Sequence, residues 1–325
     1  MTTYKEIKGQ LIRQVSSDPS NPLEGQIWYN TTIGSLKVYK NIGGVWSSGG
    51  ALPIGTNQSG GAGIKSASLL FGGTPASPPS TKTAATFEYD GTSWTPSGNL
   101  NTSRTGIAGA GTQTAALGMG GYLFPGGSSD AETYNGSSWT TITSAPTANS
   151  YASTGTQTVA LYATSGTTLE YSAPSWTAGG ALNTPRSEAS MAGTQTASLF
   201  FGGGPQTAAS NATEEYDGAS WTSVNNMNTA RGIQIGGSGI QTSALAYGGA
   251  GPNEPSISAA TEEYDGTSWT TTGSLATARR MMQKGGSTSS DNTTGICAGG
   301  LEPARSTATE EYTDPSFATQ TLTTS

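Results

Sequence analysis

The sequence predicts an all-β protein built from repeated four-stranded units, and three observations carry that prediction. First, Tyr and Trp recur as a spaced pair: Tyr89 with Trp94, Tyr134 with Trp139, Tyr171 with Trp176, Tyr216 with Trp221, and Tyr264 with Trp269. Second, an apolar strand ending in two glycines recurs between those pairs, at Gly72 and Gly73, Gly120 and Gly121, Gly202 and Gly203, Gly248 and Gly249, and Gly299 and Gly300. Third, nowhere in the repeats do ten residues show apolar positions at helical spacing.

Each repeat reads as four strands in order. The first follows an Asn-Thr-x-Arg step (Asn101 to Arg104, Asn183 to Arg186, Asn228 to Arg231) and ends in a turn such as Gly111-Thr-Gln-Thr114. The second ends in Gly-Gly, with Leu161 to Gly166 as a degenerate copy, the third ends at Tyr, and the fourth starts at Ser-Trp. Asp-Gly between Tyr and Trp reads as a tight hairpin turn whose central residues both take positive φ. A longer relative, Tyr39 to Trp46, opens the series, and a worn copy, Tyr312 to Phe317, closes it. Successive aromatic ends lie 48, 45, 37, 45, 48 and 48 residues apart. That is the period of propeller blades, roughly 40–50 residues.

The order Gly-Gly, loop, Tyr-Asp-x-x-x-Trp, Arg resembles the kelch repeat over residues 50–320. The resemblance implies a kelch-like β-propeller over residues 48–325, preceded by an N-terminal arm and attachment hairpin in residues 1–47. Five Gly-Gly strands and the degenerate copy favour six four-stranded blades, with Tyr39 and Trp46 assigned to the N-terminal segment; seven follow if residues 1–36 hold a missing half-blade. The third repeat departs from the pattern. It is short, lacks Gly-Gly, and has Ala148-Asn149-Ser150 where Arg is expected.

Composition narrows the chemistry. Only 33% of residues are hydrophobic and 47 are glycine, which suits short strands and tight turns as well as low complexity; the regular aromatics favour the folded reading. Histidine is absent, and Cys297 is the single cysteine. The commonest general base and metal ligand are therefore missing, as are internal disulfides and zinc or copper sites of nitrogen and sulfur. Cys297, in an apolar run, reads as a buried small hydrophobe. Kelch-like copper oxidases need histidine ligands. Asp90 to Trp94 also lacks one residue of the sialidase Asp box. The sequence thus predicts no enzyme, catalytic residue, metal or cofactor.

Net charge is −7, with five Lys/Arg against three Asp/Glu in residues 1–47 and nine against eighteen in the remainder. An acidic body argues against a nucleic-acid partner. The start has no apolar leader, and no run reaches membrane-spanning length, so the expectation is a protein made in a cytoplasm without membrane insertion. Glu-Glu-Tyr strands (Glu214, Glu215; Glu262, Glu263; Glu310, Glu311) point paired carboxylates to opposite faces, which rules out an acid/base couple and suggests a partner for the repeated Arg. The repeated Tyr and Trp read as packing between blades, where each buries about 150–250 Å².

Strand order puts uniform turns at one end and variable insertions at the other. The insertions are Thr74–Ala85, Tyr122–Ala131, Pro205–Ala212, Ala250–Ala260 and Leu301–Ala308. Variable loops on a rigid scaffold are where a host glycan or protein would bind; simple solvated loops are the alternative. In the N-terminal segment, residues 16–25 read as a turn-rich linker and residues 26–39 as a β-hairpin. The stretch Pro22 to Tyr39 is similar to segments of phage tail and fibre proteins, particularly those of marine phages. That similarity implies a virion structural protein, tail- or fibre-associated or surface-decorating. Residues 1–47 would then meet other virion proteins, with Trp28, Tyr29, Lys5, Lys8 and Arg13 as attachment candidates, and the chain could pair with further copies of itself. A glycan-binding propeller is the alternative.

Overall fold

The computed structural model describes residues 12–20, 22, 25–40, 43–76, 82–146, 152–204, 208–252, 257–283, 292–314 and 318–322. The regular elements are strands, with no α-helix among the described residues. The chain divides into two compact units. One comprises residues 1–44 and 314–325, the other residues 45–313.

The larger unit contains five four-stranded antiparallel sheets in a propeller-like arrangement. The first is formed by Gly60–Ile64, Ala67–Phe71, Thr86–Tyr89 and Trp94–Ser97. The second comprises Ala108–Thr112, Ala115–Met119, Ala131–Tyr134 and Trp139–Ile142; the third comprises Ala152–Gly155, Val159–Ala163, Thr168–Ser172 and Ser175–Ala178. The fourth is Ser190–Gly193, Ser198–Phe201, Thr213–Tyr216 and Trp221–Val224. The fifth is Gly236–Ile240, Ser243–Tyr247, Thr261–Tyr264 and Trp269–Thr272. In each sheet the paired Tyr and Trp face one another in register, as Tyr89 does Trp94 and Tyr264 does Trp269.

A sixth sheet has three described strands, Thr294–Ala298, Thr309–Thr313 and Val45–Ser48. Here the sequence reading needs correction. Trp46 was assigned to the N-terminal segment, yet it lies opposite Tyr312 and completes the last repeat's aromatic pair. Phe317, the expected partner of Tyr312, lies outside the described residues, as do residues 284–291, where the first strand of this sheet would fall. The physical reason is burial. Trp46 sits 4.9 Å from the Tyr247 ring and 5.2 Å from the Tyr312 ring, and its indole N–H donates to Thr261 Oγ1 at 2.9 Å. The edge of a sheet whose Tyr is fully buried needs such a cover.

Successive sheets meet through their first strands, which neighbour one another in order from the first sheet to the fifth. Thr294–Ala298 lies beside both Gly236–Ile240 and Gly60–Ile64. The approach is so close that a Cβ at Gly109 would fall 2.1 Å from the Gly61 carbonyl oxygen, which explains the Gly, Ala and Ser content of these strands. Second strands are buried on both faces and read as apolar runs, as in Leu69–Phe71. The core therefore lies between sheets: Tyr89 and Trp94 of the first cluster with Ile296 and Ala298 of the sixth. Leu117 and Met119 of the second sheet cluster likewise with Tyr162 of the third.

The paired glycines have a backbone cause. Gly72 and Gly73 take φ of +62 and +100, and the other four pairs repeat those angles closely. Two consecutive left-handed residues turn the chain out of its strand, a conformation disfavoured for residues with a Cβ. The Asp-Gly turn differs from expectation. Gly91 alone among its residues has positive φ, and the Asp90 carboxylate instead accepts from the Thr92 and Ser93 N–H groups at 2.8 and 2.7 Å. It is a four-residue loop closed by a side chain, and Asp217 and Asp265 repeat it. Those N–H bonds hold the three carboxyls below the usual aspartate range.

In the smaller unit the expected hairpin is present, Ile27–Asn30 with Ser35–Lys40. Arg13–Val15 adds a parallel strand on one side, and Ala318–Thr321 adds an antiparallel strand on the other.

Trp46→Ala is expected to lower the unfolding free energy of the larger unit by about 3–5 kcal/mol, as for other buried aromatic truncations. Denaturant titration beside Trp94→Ala checks this; a near-neutral Trp46→Ala would remove Trp46 from the sixth sheet.

Candidate interaction surfaces

The sheets are joined by a repeated set of side-chain bonds, and these bonds position the loops. In every repeat but the third, the Tyr hydroxyl donates to a glutamate of the preceding sheet. Tyr134 donates to Glu88 at 2.5 Å, Tyr216 to Glu170 at 2.6 Å and Tyr264 to Glu215 at 2.9 Å. Tyr312 donates to Glu263, and Tyr89 of the first sheet donates to Glu311 of the sixth at 2.5 Å. Indole N–H groups reach back in the same direction, Trp94 to Thr309, Trp139 to Thr86 and Trp269 to Thr213. The Gln of each Gly-x-Gln-Thr turn donates to two backbone carbonyls of the preceding sheet, as Gln113 does to Ser68 and Tyr89. In the first sheet Lys65 occupies that turn position and donates to Thr313 Oγ1 at 2.6 Å.

A second set fixes the base of four of the five insertions. Arg104 donates to the carbonyls of Gly120 and Asp130, which flank the insertion of the second repeat, and to Glu132 at 2.8 Å. Arg186 repeats this with Gly202, Ala212 and Glu214; Arg231 with Gly248, Ala260 and Glu262; Arg279 with Gly299, Ala308 and Glu310. The other oxygen of each glutamate accepts a backbone N–H, from Asn101, Asn183, Asn228 or Ala276. The pairs are almost completely buried. The expected Arg partner is thus the first glutamate of each pair. The second glutamate holds the neighbouring sheet's Tyr, a role that spacing within one repeat could not reveal.

This organisation gives the larger unit two unlike ends. Tight turns gather at one end. Val45 pairs with Thr313 there, so both chain connections leave the unit at that end. The other end bears the insertions. The second-repeat insertion is fully described. Tyr122 bridges Thr105 and Gly127, Leu123 N–H donates to Gly126, and Lys82 Nζ donates to the Leu123 carbonyl at 2.7 Å. At its tip Phe124 is 57% exposed, with φ of +50, and lies 6.4 Å from the stacked Tyr122 ring. A bulky residue held left-handed and exposed is an outlier that the surrounding bonds must impose. The last insertion contains a short hairpin, Leu301–Glu302 with Ala304–Arg305.

The repeat residues named from sequence are structural by placement. All five Tyr and Trp94, Trp139, Trp221 and Trp269 are buried, with Trp176 half-buried, and every paired glycine lies at the exit of a second strand. Attachment candidates in the smaller unit separate. Trp28 is fully buried, its indole N–H donating to Asp18 Oδ1 at 2.9 Å, so its ring is core and offers no contact face. That is a correction; the strand alternation that buries Trp28 leaves Tyr29 half-buried. Arg13 is exposed on an edge strand, while Lys5 and Lys8 lie outside the described residues. Asp18 also accepts from Asn30, and these side-chain bonds hold its carboxyl below the usual range.

Cys297 is fully buried, and desolvation pushes its thiol up to about 11. Among the described residues no three His, Cys, Asp or Glu gather as a metal site, and no helix is long and apolar enough to cross a membrane. No protein-family model matches the chain, and no curated protein matches it.

Two outcomes follow from the bonds. Arg231→Ala should cost about 3–5 kcal/mol by stranding a buried carboxylate, whereas Arg231→Met with Glu262→Leu should come close to neutral; thermal unfolding of both variants checks the contrast. Burial and then the glutamate bond raise Tyr89, Tyr134 and Tyr216 from 10 to about 12. Because the folded values exceed the unfolded one, this stability is complete below pH 10 and is lost as pH rises toward 12. Unfolding followed from pH 8 to about 12.5 should show the midpoint falling only in that window.

Proposed function

We propose that residues 45–313 close into a six-bladed kelch-like propeller. We further propose that the chain is a structural component of a phage particle, tail- or fibre-associated or surface-decorating. Its insertion-bearing end would contact the host surface or neighbouring subunits. The observation that carries the contact role is the asymmetry of the larger unit: the insertions, four of the five on Arg-clamped bases, stand at the end that bears neither chain connection. The bond from Tyr89 to Glu311 joins the first sheet to the sixth and supports the closed count of six.

The virion reading rests on the similarity of Pro22 to Tyr39 to phage tail and fibre segments. In this reading residues 1–47 meet other virion proteins through exposed groups such as Arg13. The chain is a non-enzymatic part whose place is the particle. A glycan-binding role for the same end is favoured by one observation, the exposed Phe124 in a left-handed conformation beside Tyr122.

Mass spectrometry of purified virions should detect the chain as a stoichiometric component, and its absence from particles would overturn the virion reading. If Phe124 anchors a ligand, Phe124→Ala should weaken adsorption to host cells or a glycan array by about 2 kcal/mol, roughly thirtyfold in Kd. Unchanged adsorption would remove Phe124 from the contact.

A further inference from the structure

Three defects fall on one repeat. The second sheet has Thr133 where the others have Glu88, Glu170, Glu215, Glu263 and Glu311, so the Tyr171 hydroxyl has no hydrogen-bond partner among the described residues. The third sheet has Leu169 in place of the Arg-paired glutamate, and Ala148-Asn149-Ser150 stands in sequence where the clamp Arg is expected. On the far side, the buried Trp221 indole N–H has no partner among the described residues, and the Thr168 hydroxyl, at the position that accepts from the indole in other repeats, donates to the Gly180 carbonyl. The contacts remaining across the second-to-third junction use backbone carbonyls: Ser153 to Gly109, Gln157 to Ala116 and Tyr134, and Trp176 to Thr143.

We infer that the junction between the second and third sheets is an opening seam and that the third sheet unfolds locally before the others. This rests on the closed-ring reading, in which the first, fourth, fifth and sixth sheets are held on both sides by Tyr–Glu bonds, while the second, which shares the seam, keeps its Arg104–Glu132 clamp and the third has none. Opening free energies vary across a fold, and the units with the fewest buried bonds open first. A ring with one weak junction opens there, exposing the faces of Met119, Tyr162 and Tyr171 that cluster across it.

Hydrogen exchange of the full chain, read by mass spectrometry, tests the seam. Strands 152–155, 159–163 and 168–172 should exchange at least about tenfold faster than their counterparts in the fourth and fifth sheets. Thr133→Glu supplies the missing acceptor and should slow that exchange by about tenfold; adding Tyr171→Phe should cancel the gain, which a general surface effect would not. Equal protection of all sheets, with the first and sixth also protected, would overturn the seam and leave the closed ring standing. Fastest exchange in the first and sixth sheets would overturn both. A Thr133→Glu gain that persists with Tyr171→Phe would overturn the proposed bond.

Discussion

Between one sheet and the next, a tyrosine ring fills apolar space while its hydroxyl still needs an acceptor, since a buried polar group left without one costs about 1–3 kcal/mol. The glutamate that answers it lies immediately before the tyrosine of the preceding sheet, as Glu88 lies before Tyr89. One Glu-Tyr dipeptide therefore carries both halves of the contact: its Tyr reaches backward and its Glu receives the next Tyr. Such a head-to-tail contact either propagates or closes, depending on the rotation per unit. The bond from Tyr89 to Glu311 is the same contact made between the first and last copies, and the closed-ring proposal takes its geometry from it.

The buried Arg–Glu pairs obey a different constraint. A single buried charge is expensive, whereas a complete pair can be exchanged for apolar residues at little cost. The chain shows this internally. Where the Arg position holds Thr56, the glutamate position holds Phe87; where Ala148-Asn149-Ser150 replaces the Arg, the glutamate position holds Leu169. Neither half is retained alone. Phe87 packs into the apolar cluster with Leu52 and Leu70, so the first repeat replaces an ion pair by packing. The clamps are consequently modular, and a repeat can lose its clamp without losing its sheet.

Much of this was legible in the sequence because it is local. The Tyr–Trp pairs, the Gly-Gly exits and the four-strand order each lie within one repeat and follow from turn chemistry and strand alternation. What stayed hidden is non-local. Trp46 and Tyr312 are at opposite ends of the chain, and no spacing rule pairs them. The second glutamate's partner lies one repeat ahead, out of reach of spacing within one repeat. The Asp-Gly turn departs from expectation because Asp and Gly are also the residues of a two-residue hairpin, while here the Asp side chain closes a longer loop. Trp28 was placed on a contact face by resemblance, although the alternation of its own strand buries it.

The insertion end gains its freedom from the same bonds. Arg104 fixes the carbonyls of Gly120 and Asp130 on either side of the second-repeat insertion, and Glu132 anchors the Arg in turn. Residues between those two carbonyls carry little of the sheet's stability, so their length and sequence can change while the base stays in place. The second insertion spends that freedom on an exposed Phe124 in a left-handed conformation, and the last on a small hairpin. The third repeat, with neither clamp nor its Tyr–Glu bond, keeps only the tight Thr164–Thr167 turn in that place. Long insertions occur above clamps, with the first repeat as the exception, where Thr56 bonds the Thr74 carbonyl at the insertion base in place of an Arg. A fixed base is thus a physical precondition for presenting a shaped loop, and it locates the surface on which binding can vary without unmaking the fold.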